Sequence, residues 1–591
     1  MVSFAPAARE AASALMPLAR RKLLRLGFIV LTLVSYLKYA MRRRDFLRQS
    51  VSVPVAALFA KAAEIECDVA VIGGSVGGSA AALAAVRNGM RVVLTESTDW
   101  LGGQLTSQAV PPDEHPWIEQ FGCTASYRTY RNAVRDYYRA HYPLTEAARE
   151  RLNLNPGNGG VSRLTHEPRV SLAVIENMLA PYQSSGALTI LLEHVPESAT
   201  TAGDRVTSVT LRDLRRTRTR TVTAKYFLDA TELGDLLPLT KTEFVTGAES
   251  RAQTGEAHAA EVAEPANNQS FTFCFAMDHL EGEDHTIDKP DDYAKWRSYV
   301  PALTPPWPGR LLSWVASEPK TLKSRDAFFE PNPGENVRTG LNLWTYRRIV
   351  DRANFTLATY ASDISLVNWP QNDYWLGDLL TARPEQQKEY QRQSKQLSLS
   401  LLYWMQTEAP RLDGRQGWKG LRLRKDMVGT EDGLAKAAYI RESRRIRAVF
   451  TVLEQHVGAQ MRGGAEAAAF DDSVGVGSYR IDLHPTAGGT NYIDVSSLPF
   501  QIPLGALIPI RVENLLAACK NIGTTHITNG CYRLHPVEWN IGEAAGAVAA
   551  QAVRIKQSPR AIHASKKLVE DLQTTLRKQG FELSWPKVHP V

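Results

Sequence analysis

One stretch constrains this chain more than any other: residues 67–97, CDVAVIGGSVGGSAAALAAVRNGMRVVLTES. Residues 68–72 (DVAVI) form a short β-rich run suited to a buried parallel strand. A turn follows, Gly73-Gly74-Ser75-Val76-Gly77-Gly78. Residues 79–88 predict an Ala-rich helix that packs tightly on a sheet and is ended by Gly89. Residues 91–95 predict a second strand, closed by Glu96. Strand, glycine turn, helix, strand and acid make up the context that a dinucleotide fingerprint requires. Gly73 permits the sharp turn, the helix N-terminus offers N–H groups to a pyrophosphate, and Gly78 lets helix and strand approach closely. Ser75 stands where the pattern has its middle glycine, and its small hydroxyl side chain is expected beside the phosphates. Glu96 is placed to accept from a ribose 2′-OH.

The 591 residues suffice for two or more lobes, and 44% hydrophobic with 22% charged residues is ordinary globular composition. The formal charge of +7 is concentrated at one end: residues 1–62 hold 11 Lys/Arg and 2 Asp/Glu, and the remainder carries 58 basic and 60 acidic residues. A nucleic-acid partner therefore loses its main support. The five cysteines, Cys67, Cys123, Cys274, Cys519 and Cys531, form no C-x-x-C pair. This spacing supports no zinc site, iron–sulfur cluster or disulfide scaffold, and no metal ligands are assigned.

Arg43-Arg44-Asp45-Phe46-Leu47-Arg48 matches the twin-arginine export pattern. A mildly apolar run (51–60) and a small-x-small site before Ala63 complete a signal peptide. Export to the periplasm or another extracytoplasmic space is expected, with Met41 as the translated start. The apolar run 26–37 is short for a membrane span, so membrane contact is expected only through an uncleaved N-terminus.

Further along, Gly102-Gly103-Gln104 follows the acid and lets backbone approach a ligand extending past the adenosine. Near the C-terminus, residues 514–518 predict a strand and 541–553 an Ala/Gly-rich helix, with Gly542 and Glu543 in its first turn. A helix N-terminus there is suited to charge developing on a flavin. The motifs VIGGSVGGSAAALAA, LGGQLTSQ, FLDATELGDL, YIRESRRI and NIGTTHITNGCYRLHPVEWNIGEAAGA together resemble the FAD-dependent oxidoreductases with a glutathione-reductase-like FAD domain. The nearest subgroup is that related to the flavin part of heterodisulfide reductase. The resemblance implies that Gly73, Gly74, Ser75, Gly77, Gly78 and Glu96 hold the ADP half of FAD. It implies that Gly102, Gly103 and Gln104 line the path to the flavin, that Asp229-Ala230-Thr231 lies near the nucleotide, and that Gly542-Glu543 faces the flavin. Glu232 stands where many relatives have glycine.

The expected fold is α/β: a Rossmann-like FAD-binding domain of ββα type with a mostly parallel sheet, and an inserted α+β substrate-side lobe. The FAD domain is expected at 64–260 and 480–556, the lobe at 261–479 and a tail at 557–591. Eight of the 12 tryptophans lie in the lobe, as core or as faces of a cleft; the stretch 367–375, VNWPQNDYW, is the best cleft candidate. His526, Arg533 and His535 cluster before the last helix and are the catalytic candidates, histidine for proton transfer and arginine for an anion. Weaker candidates are Glu114, His115 and the arginines 441, 444 and 445, read as helix-surface groups. With no second glycine-rich βαβ unit for NAD(P)H, electrons are expected from an organic substrate or a redox partner protein. The reading is an exported FAD-dependent oxidoreductase transferring hydride between a small organic substrate and flavin N5. The alternatives are an electron-transfer flavoprotein serving a redox partner and a non-catalytic nucleotide-binding protein.

Overall fold

A computed structural model describes residues 63–331, 339–464 and 466–589; the expected export segment, 1–62, lies outside them. The chain opens with β1 (Ala63–Ile72), α1 (Val76–Arg87) and β2 (Val92–Glu96), a right-sized βαβ unit in which Val69 pairs in parallel with Val92. β1 is twice the expected length because its first half pairs with a later strand. After α2 (Ala125–His141) and α3 (Pro168–Ser184), β3 (Leu188–Leu192) joins β2 in parallel. The meander β4 (His194–Ala202), β5 (Arg205–Asp213) and β6 (Arg218–Asp229) then brings β6 parallel to β1, with Asp229 opposite Ile72.

A second, antiparallel sheet follows: β7 (Phe275–His279), β8 (Arg348–Val350), β9 (Ile364–Val367) and β10 (Leu421–Leu423), in the order β8-β9-β7-β10. The long helix α4 (Pro384–Thr407) packs beside it, and Ser398 Oγ donates to the Phe273 carbonyl at 2.7 Å. The chain returns to the first sheet through β11 (Leu515–Ala517), parallel to β6, and continues into α5 (His526–Tyr532) and α6 (His535–Ile555). The second sheet lies between two apolar cores: Ala276, Ile349, Ile364 and Leu366 join the core of the first sheet, and Phe275, Met277, Val367 and Leu421 join a second. All eight lobe tryptophans are buried, and they belong to the second core. They are packing residues; four tyrosines line the second cavity described below.

Eleven of the twelve residues of α1 are buried, because the helix lies between the first sheet and α6. Small residues make that possible: a Cβ on Gly542 would lie 1.9 Å from the Gly77 carbonyl oxygen, and one on Gly546 2.2 Å from that of Ala81. α6 starts six residues before the expected position. Pro536 in the first turn suits a helix start, since its missing N–H has no helical partner to lose. Gly542 and Glu543 therefore sit two turns inside α6 and are not its N-terminus. Gly542 serves helix contact, and Glu543 Oε2 accepts from Ser126 Oγ at 2.5 Å.

Candidate functional site

A cavity of about 320 Å³ opens at the carboxyl ends of β1, β2 and β6, where ligands of doubly wound sheets bind. Gly73, Gly74, Ser75, Glu96, Ala230 and Thr231 line it. Gly73 has φ +103°, and a Cβ there would lie 2.2 Å from the Ala230 carbonyl oxygen, so only glycine lets the turn cross β6. Ser75 has a structural explanation: it caps α1, its Oγ accepting the Gly78 N–H at 3.1 Å. The Gly77 N–H donates to Glu538 Oε1 at 3.1 Å. Gly77 and Gly78 thus give their N–H groups to protein oxygens, which differs from the expectation of free donors at this helix start.

Glu96 is buried at the cavity edge. Its Oε2 accepts from the Gly74 N–H at 3.1 Å and its Oε1 from the Thr98 N–H at 2.7 Å. Burial pushes its carboxyl above the ordinary range, opposed by the Thr98, Ser97 and Gly74 hydrogen bonds. Asp229, fully buried, accepts from both the N–H and hydroxyl of Thr231, and desolvation raises it to about 7. Gly102 and Gly103 both have positive φ, and Gln104 Nε2 donates to Glu538 Oε2 at 2.5 Å. Lys520 bridges Glu232 and Glu538. Burial acts against its charge, but the two carboxylates outweigh burial and hold the ammonium above the usual lysine range. Gln104 Oε1 and Glu232 Oε1 are buried without protein partners. A glycine-floored turn, an acid at the end of the second strand and acceptors awaiting partners suit an ADP-containing cofactor.

A second cavity, about 380 Å³, lies on the other side of the segment 436–441. Lys436, Ala437, Ala438 and Ile440 line the first cavity, whereas Tyr439 and Arg441 line the second. The second cavity is walled by charge pairs. Arg533 Nη2 donates to Asp482 Oδ2 at 3.2 Å and Nη1 to the Tyr439 hydroxyl at 3.1 Å. Arg347 Nη1 donates to Asp113 Oδ1 at 3.2 Å. Arg441 Nη2 donates to Asp373 Oδ1 at 2.8 Å, and the Thr272 hydroxyl donates to the same oxygen at 2.6 Å. His484 lines this cavity, with Nδ1 2.6 Å from Asp373 Oδ2 and Nε2 3.7 Å from Asp482 Oδ2. Burial would raise the Asp373 and Asp482 carboxyls, but His484 and the arginines hold both below the usual range.

The three expected catalytic residues do not share one cavity. Arg533 lines the second cavity. His535 stands behind it at the start of α6, its Nδ1 accepting the Asp113 N–H at 3.0 Å. That bond assigns the ring proton to Nε2, which is buried without a partner. Burial lowers His535 to about 4. His526 lies elsewhere: its Nδ1 is 3.0 Å from both oxygens of Glu442, beside a cavity of about 70 Å³ shared with Glu256 and His258. Residues 439–444 form no helix, and Arg441 and Arg445 are buried in ion pairs, so the helix-surface reading of these arginines is corrected. Glu114 is paired to Arg131 at 2.8 Å, and His115 Nε2 lies 3.1 Å from the Gly122 carbonyl; neither lines either cavity. Sequence reasoning missed the Asp373–His484 pair. The one signal toward it was the polar–aromatic stretch 367–375, which holds Asp373.

Fold and turn together define a dinucleotide-binding type of α/β protein with an inserted second sheet. A family model described as FAD dependent oxidoreductase matches residues 68–576, and the chain belongs to that family. No curated protein matches the chain in sequence. Among solved structures, a point mutant of the E. coli quinol fumarate reductase FrdA is 10% identical, with 88% of this chain and 74% of that one covered and a TM-score of 0.30. The glycerol-3-phosphate dehydrogenase from Bacillus halodurans, complexed with FAD, is 15% identical over 36% of this chain and 40% of that one, TM-score 0.20. The L-proline dehydrogenase from P. horikoshii is 17% identical over 33% and 26%, TM-score 0.17. This chain therefore spans well under two thirds of the length of the two dehydrogenases.

Proposed function

We propose that the chain oxidises or reduces a small organic substrate bound in the second cavity, with His484 moving the substrate proton. FAD, when bound in the first cavity, supplies the partner for hydride at its N5. The remaining roles fall to the chain's own side chains. His484 Nδ1–H donates to Asp373, and Nε2, 3.7 Å from Asp482 Oδ2, is the atom that exchanges a proton with a substrate O–H or N–H. Arg441 and Thr272 fix Asp373, so the imidazole keeps one orientation and one tautomer. His535, neutral near pH 7, accepts the Asp113 N–H at Nδ1 and so fixes the partner of Arg347. Arg533 and Tyr439 close the side of the cavity next to that helix start.

His484 on the cavity wall, oriented by Asp373 behind it, carries this reading. The test is anaerobic bleaching of the visible flavin band by a panel of organic donors. With any donor that bleaches the wild type, His484→Ala is expected to slow bleaching ~100- to 10,000-fold at unchanged flavin content. Bleaching at the wild-type rate in that variant removes His484 from the mechanism.

A further inference from the structure

The substrate class follows from how the charges on the second cavity are matched, an argument that rests on reading this cavity as the substrate site. Three guanidinium groups on its wall, those of Arg347, Arg441 and Arg533, are nearly fully buried. Each already has a carboxylate: Asp113, Asp373 and Asp482. Arg480 is paired with Asp494 and Arg325 with Glu318 at 2.9 Å. Lys320, the remaining basic side chain of the wall apart from His484, is exposed. An incoming carboxylate would have to share each buried cation with an aspartate already bonded to it, and would itself be desolvated.

Hydroxyl groups face no such conflict. Each one both donates and accepts, and the wall alternates guanidinium donors with carboxylate and amide acceptors. The Nε–H groups of the three buried arginines, Gln371 Oε1 and the Tyr492 hydroxyl are buried without protein partners. Tyr492 is 3% exposed and lies edge-on to His484, ring centroids 5.4 Å apart. Tyr346, Tyr439 and Tyr479 add three more phenol rings to the wall, which suit the C–H face of a saturated ring. We infer that the second cavity recognises a neutral polyhydroxylated carbon skeleton, a sugar or polyol.

The FAD-loaded protein is titrated with D-glucose, D-galactose, myo-inositol and glycerol, and separately with succinate and lactate. Binding is read by saturation-transfer NMR and flavin bleaching is recorded on the same samples. At least one of the first four is expected to bind tenfold or more tighter than either acid. Asp482→Asn is expected to weaken that binding, and Tyr492→Phe by about 5- to 10-fold, the worth of one hydrogen bond. Because the Tyr492 hydroxyl has no protein partner, this variant keeps the fold even where Asp482→Asn does not. Tighter binding of succinate or lactate, no binding by any probe, or unchanged affinity in Tyr492→Phe overturns the inference. A polyol that binds without bleaching the flavin upholds the ligand class and defeats the hydride reading; a carboxylate that binds and bleaches does the reverse.

Discussion

The cavity at Gly73 is built on the glycine turn and three strand ends, with Lys436, Ala437, Ala438 and Ile440 on its other wall. The cavity at His484 is walled by charge pairs, and those of its three buried arginines join residues 51 to 234 positions apart in the chain. The first depends on what is missing, since a Cβ at Gly73 or Gly78 would meet backbone oxygen at 2.2 or 2.0 Å. The second depends on what is present, and each charge needs its partner because burial without one costs several kcal/mol. A cofactor shared by many enzymes is held by geometry that hardly varies. The proposed substrate cavity is formed by side chains that meet from far apart in the chain.

This contrast breaks most sharply at the seam between α1 and α6. Gly542→Val places a branched side chain where even a Cβ meets the Gly77 carbonyl at 1.9 Å. Neither backbone can yield without disturbing the glycine turn, so a loss of ~3 kcal/mol or more is expected, together with loss of bound FAD. Melting temperature and flavin content measure both. A variant that melts as the wild type does while shedding FAD would mean that Gly542 faces the cofactor, as the sequence alone suggested.

Glu96→Ala sharpens the comparison at smaller cost. Its carboxylate holds the Gly74 and Thr98 N–H groups and ends at the cavity that suits the adenosine half. FAD affinity is expected to fall ~10- to 100-fold, the worth of a hydrogen bond to a charged group. Turnover at saturating FAD should change little, because the second cavity is untouched. Equal flavin retention in wild type and variant would refute the ribose role.

The same contrast explains what could be read in advance. Residues 68–96 announce themselves because strand, turn, helix and acid are contiguous, and each obeys a local rule of period or φ. The role of Ser75 was half legible: its size fitted the turn, but the cap it forms on Gly78 is a matter of local geometry that the phosphate reading passed over. The start of α6 was misplaced because Glu538, Trp539 and Asn540 break the Ala/Gly pattern, although all three are buried in the helix. Arg441 looked like a surface group because a charged residue in a polar run normally is one. Its burial becomes tolerable only through Asp373, 68 positions earlier. His484 was overlooked for the same reason: nothing within ten residues of it marks Asp373 as its partner.

A pH-dependent effect belongs to a carboxyl that the sequence assigned to the nucleotide end. Asp229 is fully buried at the end of β6, and Oδ2 has no partner. Desolvation raises it from 3.8 to about 7, against the pull of the two Thr231 bonds. Because the folded value is raised, the native state holds a proton that the unfolded chain gives up between pH 4 and 7. Stability from this group is therefore fully present below about pH 4, falls as pH rises through that window, and is level above about pH 7. Asn keeps the oxygen that accepts from Thr231 and carries no titrating proton. Asp229→Asn should accordingly leave the melting temperature nearly unchanged at pH 4 and raise it at pH 8, by up to ~4 kcal/mol of stability at about 1.4 kcal/mol per pH unit. Melting curves across pH 4–8 decide the matter. An equal shift at both ends would mean that Asp229 is ionised in the folded protein throughout, with its charge met by a partner such as the bound cofactor.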